Sequence, residues 1–299
     1  MKIIAILCLS LSFVITTNAQ TDSIADFKKI ADSLYIEEVQ SDKKGKDKVL
    51  HAEPLFIDLI RDLGARKGEK EWNIGLGLND NNKYDLYTAL VEYEFAPVNR
   101  LGLEVELPFS FYYPVNGVQR DSVPSSKLNS FKMAMQYSFF VSEKLKTSLA
   151  AGYIHELELT EFKTYGKKNV FKGHLYNPFV VAAKRWGTNF HSMVYAGPRI
   201  FVPQGKNAAP TNWQVNTSMH YMIPGTRNFV GLEINKEIEN RNLHTVMRPQ
   251  MRVGLAENLL VGIVSGIPLQ RNNQRFSTFV RLIYEPGHGL HAKPKYFKV

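Results

Sequence analysis

Three groups of residues in this chain carry side chains that could do acid–base, nucleophilic or metal chemistry, and the spacing of each limits what it can do. Asn216, Ser218 and His220 alternate along one segment, so in a strand they share a face, which evokes a hydrolase constellation. Side chains at i and i+2 of a strand stand about 7 Å apart at Cα, beyond direct hydrogen-bond reach for most rotamers. His191 and Ser192 are adjacent and therefore point to opposite faces, which spoils them as a catalytic pair. His51 and Glu53 could offer metal ligands together with His288 and His291, but the spacing matches no familiar zinc pattern. Capping by Glu53 ahead of Pro54 explains the same residues. His155 falls on an apolar face near a strand end. The expectation is a non-enzyme with no catalytic residues, no metal and no other cofactor.

A second set of ionisable residues has a clearer pattern. Glu92, Glu94, Glu104 and Glu106 occupy the polar faces of two neighbouring alternating segments, and Arg248, Arg252 and Arg281 occupy those of two later ones. If the apolar faces meet lipid, these seven charges line a lumen. Charges there are costly unless paired or hydrated. Two readings stay open: the charges pair across a narrow, plugged lumen and hold it together, or they form a constriction that orients solute in a water-filled pore.

The elements that must position these residues are strands. Trp72, Ile74, Leu76 and Leu78 alternate with Asn73, Gly75, Gly77 and Asn79, and the same period of two recurs through Phe276, Thr278, Val280, Leu282 and Tyr284. Strict alternation over this much chain is a β signal. About twelve such segments follow residue 71, each of roughly 9–11 residues, enough to cross a bilayer when tilted. Short connections near Pro97, Glu143, Gly187, Gly225 and Glu257 alternate with longer polar ones at 113–126, 160–172 and 203–210. That asymmetry, and aromatics near strand ends, favour a transmembrane antiparallel β-barrel over a soluble sandwich or lipocalin-like barrel. The barrel is expected over 71–286.

Ahead of the barrel, Lys2 and the apolar run 3–15 read as a secretory signal over 1–19, cleaved after Ala19. The only cysteine, Cys8, lies inside it, so the exported chain has no disulfide and no cysteine nucleophile. Residues 20–70 read as a periplasmic helical segment and linker. A first helix is expected over 23–35, and Pro54 opens a second whose apolar stripe is Leu55, Phe56, Leu59, Ile60 and Leu63, closed by Gly64. With Asp58, Arg61 and Asp62 this second helix is a candidate plug or partner-docking element; in the lumen it would lie near the luminal charges. Residues 287–299 form a basic periplasmic tail. The net charge of +9 suits anionic lipid headgroups, no nucleic-acid-binding motif accompanies it, and no run of eighteen apolar residues follows the signal to make a membrane helix.

The run HAEPLFIDLIRDLGARKG, 51–68, resembles a segment of uncharacterised exported outer-membrane proteins of Bacteroidetes-type bacteria, a family without an established activity. The stretches 248–255 and 258–263 resemble barrels of the phenol-degradation, MetA-like transporter type, which implies outer-membrane placement and passage of small hydrophobic compounds. The function expected is a passive pore or transport component of the bacterial outer membrane, in contact with its lipid. The alternatives are a closed structural barrel that recruits a periplasmic protein partner through its N-terminal helices and, further off, a lipid-modifying enzyme.

Overall fold

The computed structural model describes residues 21–40, 47–57, 59–167, 169–206, 210–271 and 273–286. The expected signal and its cleavage site, Asp58, His288, His291 and the tail lie outside these residues. A helix, α1 (Thr21–Gln40), comes first. It is followed by β1 (Lys70–Asn81), β2 (Tyr84–Val98), β3 (Leu101–Pro114), a two-residue β4 (Lys127–Leu128), β5 (Ser130–Ser142), β6 (Thr147–Leu159) and β7 (Phe171–Trp186). Then come β8 (Phe190–Pro203), β9 (Asn212–Met222), β10 (Phe229–Glu239), β11 (Asn242–Ala256), β12 (Leu259–Pro268) and β13 (Gln274–Tyr284).

The twelve long strands pair antiparallel with their chain neighbours, and β1 closes the sheet on β13 with Trp72 opposite Tyr284 and Leu76 opposite Val280. β4 is a side pairing of Phe109 and Ser110 of β3. Closure leaves no free edge, so every long strand finds hydrogen-bond partners on both sides.

Alternation sets the two faces. In β1, Glu71, Asn73 and Gly75 point inward and are buried, whereas Trp72, Ile74 and Leu76 point outward and are exposed. In β7, Phe179, Val181, Ala183 and Arg185 are inside, and Val180 and Trp186 are outside. The outer surface is therefore apolar and the inner one mixed, the reverse of a soluble barrel. Aromatics ring both ends of this apolar surface. Trp72, Trp186, Phe190, Tyr221 and Tyr284 stand at the end with the short turns; Tyr87, Tyr113, Trp213 and Phe276 stand at the end with the long loops.

The first helix is present and runs past both expected ends. It lies over the short-turn mouth, where Asp32 accepts a hydrogen bond from Gly225 N–H at 2.8 Å and Ala31 packs on the same turn. The expected second helix is absent: residues 51–57 and 59–63 carry no helix, and one isolated turn, Ala65 N–H to the Asp62 carbonyl, closes the stretch. This stretch enters the barrel and fills it. Its stripe of Leu55, Leu59, Ile60 and Leu63 is buried as the pattern required, against Ala150, Phe179, Met193 and Tyr195 on one side and Leu260, Val264 and Phe279 on the other.

Candidate functional site

The wall supplies the hydrogen bonds that a helix would have made internally. The amide of Ala52 donates to His191 Nδ1 at 2.9 Å, that of Leu55 to Gln250 Oε1 at 2.8 Å, and that of Ile57 to Glu233 Oε1 at 3.1 Å. Gly64 N–H donates to Ser138 Oγ at 2.9 Å, and Gln136 Nε2 donates to the Arg61 carbonyl at 2.6 Å. These partners come from β5, β8, β10 and β11, so the segment is tied to the lumen on several sides. A buried amide must bond to something, and here inward-facing side chains replace the i−4 carbonyls. That is why a run with helical spacing is not a helix.

Two glycines let the walls come close. A Cβ on Gly102 would lie 2.5 Å from Arg61 Cβ and 3.0 Å from the Ile60 carbonyl oxygen, and one on Gly262 would lie 2.6 Å from Leu55 Cδ2. Between plug and wall, a crevice lined by Pro54, Leu59, Tyr195, Ser218 and Glu233 holds about 10 Å³, no more than one water needs.

Arg61 anchors the plug electrostatically. Its Nη1 donates to Glu71 at 2.6 Å and to Glu94 at 3.3 Å, and Nη2 pairs with Asp62 at 3.0 Å. Asp62 also receives Lys48 at 2.8 Å. Glu92 accepts from Arg281 at 3.3 Å; Glu104 forms an ion pair with Lys132 at 2.8 Å, and Lys132 also contacts Glu106. Arg248 lies over the Phe56 ring at 3.3 Å and donates to Asn235 at 2.7 Å and Ser277 at 3.1 Å. Arg252 sits nearer the short-turn mouth, over the Phe229 ring, and donates to the Arg227 carbonyl at 3.2 Å.

All seven luminal charges expected from sequence thus lie on the inner face, and Glu92, Glu94, Glu104, Glu106, Arg248 and Arg281 are buried. Each of these six meets another inward-facing side chain or Arg61. Leu55, Leu59, Ile60, Arg61 and Leu63 are buried inside the barrel and Phe56 partly so, without the helix that was expected to carry them. Asn73, Glu71, Lys132, Gln136, Ser138, Glu233 and Gln250 were not foreseen as contacts. The same alternation puts each of them inward, so the signal was available.

The candidates for chemistry disperse. Asn216, Ser218 and His220 do face the lumen, but His220 Nε2 meets Gln250 at 3.0 Å and Asn216 Oδ1 accepts from Asn235 at 2.9 Å. His51 Nε2 meets Ser148 Oγ at 2.9 Å, and its ring stands edge-on to His191. Burial pushes the His51 imidazole down to about 3, with neighbouring His191 and Arg185 adding to the shift, so the ring is neutral and serves as a wall contact. His155 lies on the outer face, stacked with His174 and Tyr176.

No functionally curated protein matches the chain. Among solved structures, an outer membrane channel from Pseudomonas putida F1 superposes with a TM-score of 0.58 at 11% identity, covering 75% of this chain and 97% of that one. A KdgM porin gives a TM-score of 0.47 at 11% identity over 71% of this chain and 98% of that one. The first of these establishes the fold as that of the outer-membrane β-barrels. The family model described as HAEPLYID-like matches residues 47–285, from the start of the plug through the last strand, and the chain belongs to that family.

Proposed function

We propose that this protein is an outer-membrane channel in its closed state, with residues 47–65 as a built-in plug and small solutes as cargo once the plug moves. The outer surface supports the membrane placement. An apolar belt bounded by two aromatic rings fits a hydrocarbon slab between two interfaces, with the short turns, α1 and the end of β13 on the periplasmic side. The observation that carries the channel reading is the nature of the plug's attachment. Wall side chains make hydrogen bonds and ion pairs to it and apolar wall residues pack on its leucines, while residues 47–65 join no strand of the barrel; the main-chain bond from Arg100 N–H to the Ala65 carbonyl, at 2.6 Å, is a turn contact at the plug's end. A wall bearing Glu92, Glu94, Glu104, Arg248 and Arg281 can be hydrated when the plug leaves, whereas an apolar core could not.

Single-channel conductance in a planar bilayer tests this. The full-length protein is expected to be silent or to open rarely, and a chain lacking residues 20–68 is expected to conduct steadily. Silence of the truncated barrel, with its heat-modifiable gel mobility intact, would sink the channel reading. It would favour the closed structural barrel, whose mouth-side helix α1 presents exposed Ile30 and Leu34 to a periplasmic partner.

A further inference from the structure

The charge inventory of one sector of the wall does not balance. On β1–β3, carboxylates of Glu71, Glu92, Glu94, Glu104 and Glu106 are all less than one-tenth exposed. They are met by three cations, Arg61, Arg281 and Lys132. Five against three leaves two negative charges in excess, even without the more exposed Glu53, Asp62 and Glu69. Buried charge without compensation is costly, several kcal/mol per ion in order of magnitude, so the sector requires either protons or a counter-cation.

Geometry favours a cation. One carboxylate oxygen from each of Glu92, Glu94 and Glu104 lies within 4.8 Å of the others. A calcium ion takes oxygen ligands at about 2.3–2.6 Å, so two ligands on opposite sides of it stand roughly 4.6–5.2 Å apart, and the three oxygens are within bridging distance of one ion. The second observation is Asn73. Its side chain is fully buried, its Nδ2 donates to Glu92 Oε1 at 2.8 Å and to Glu94 Oε1 at 2.9 Å, and its Oδ1 has no hydrogen-bond partner. The amide therefore lies at the cluster with its one acceptor unused. Turning it over exchanges two donor contacts for an oxygen ligand, a rearrangement that needs no backbone movement.

We propose that Glu92, Glu94 and Glu104, with the amide oxygen of Asn73, form a site for one calcium-class divalent cation in the wall beside the plug. Carboxylate and amide oxygens select a hard cation over zinc or copper, and two positive charges balance the sector. Glu94 is shared with Arg61 of the plug, so the ion also rigidifies the wall to which the plug is tied. The inference does not depend on whether the lumen conducts.

Calorimetric titration of calcium chloride into the full-length, EDTA-stripped protein in detergent tests it, with the folded state checked by heat-modifiable migration. One calcium per chain is expected. Glu104→Gln should weaken binding at least tenfold. Asn73→Leu, which leaves every charge in place, should weaken it several-fold, and it keeps the test open should the glutamate variant fail to fold. Absence of a binding heat in the folded wild-type protein overturns the assignment and leaves protons as the neutralising species; so does affinity that survives either substitution unchanged.

Discussion

At the residue scale, Arg61 is the side chain on which the proposed closed state turns. It is buried, it belongs to the plug, and two of its partners, Glu71 and Glu94, are buried carboxylates of the wall. Truncating one partner of a buried ion pair leaves the other charge uncompensated, at a cost of about 3–5 kcal/mol. Arg61→Ala should therefore unseat the plug without dismantling the barrel, because the strands are held by their own ladders. Limited trypsin digestion of the detergent-solubilised protein reads this directly, through cleavage at Lys48, Arg66 and Lys67. The variant should be cut there far faster than wild type while its barrel core stays protected. Arg61→Lys, which keeps the charge and loses the fork, should fall between the two. Equal protection in all three proteins would mean that apolar packing of Leu59, Ile60 and Leu63 alone seats the plug.

Elements differ in how much of them could be read from sequence. The strands were legible because a barrel wall exposed to lipid on one side and to side chains on the other enforces period two over most of each strand, as in β1 and β13, with breaks at bulges such as the one between Tyr137 and Phe140 of β5. The inward direction of the seven luminal charges followed from the same rule. The plug was legible only as a burial pattern. Its stripe of Leu55, Leu59, Ile60 and Leu63 has helical spacing, but helix formation depends on where the amides bond, and Gln250, Glu233 and Ser138 are far away in sequence. Arg61 likewise could not be matched with Glu71 and Glu94 before closure of β1 on β13 and the threading of 47–65 through the ring were known. Close approach at Gly102 gives this element its own prediction. Gly102→Ala places a Cβ against Arg61 Cβ and the Ile60 main chain, and main chain cannot yield cheaply; Gly262→Ala meets only the tip of Leu55, which can rotate. The first substitution should raise the open probability in planar bilayers and the second should leave it near the wild-type level. The reverse order would show that the plug is seated at its Leu55 end rather than at Arg61.

For the whole molecule, the fold separates two jobs between two faces of one sheet. The outer face is apolar and banded by aromatics, which fixes the barrel's depth in a bilayer; the inner face holds charge, which an apolar core would not need. That inner charge is itself unevenly spread. β1–β3 carry five buried glutamates and β10 carries Glu233, whereas β11 and β13 carry Arg248, Arg252 and Arg281, and the glutamate-rich and arginine-bearing sectors adjoin across the closure of β1 on β13. With the plug seated, Arg248 is occupied by Phe56 and Asn235, and Arg281 by Glu92. With residues 20–68 removed, Phe56 leaves and Arg61 no longer screens Glu71 and Glu94, so both sectors face water and the arginines become the principal attraction for anions. The double variant Arg248→Ala, Arg252→Ala in that truncated background should then shift the reversal potential toward cation selectivity in an asymmetric salt gradient. Screening sets the size of the effect: at about 1 M salt the Debye length falls to roughly 3 Å, and the shift should shrink accordingly. An open truncated barrel whose reversal potential does not change with these two substitutions at low salt would place the selectivity elsewhere in the lumen and leave the arginines as struts of the closed state.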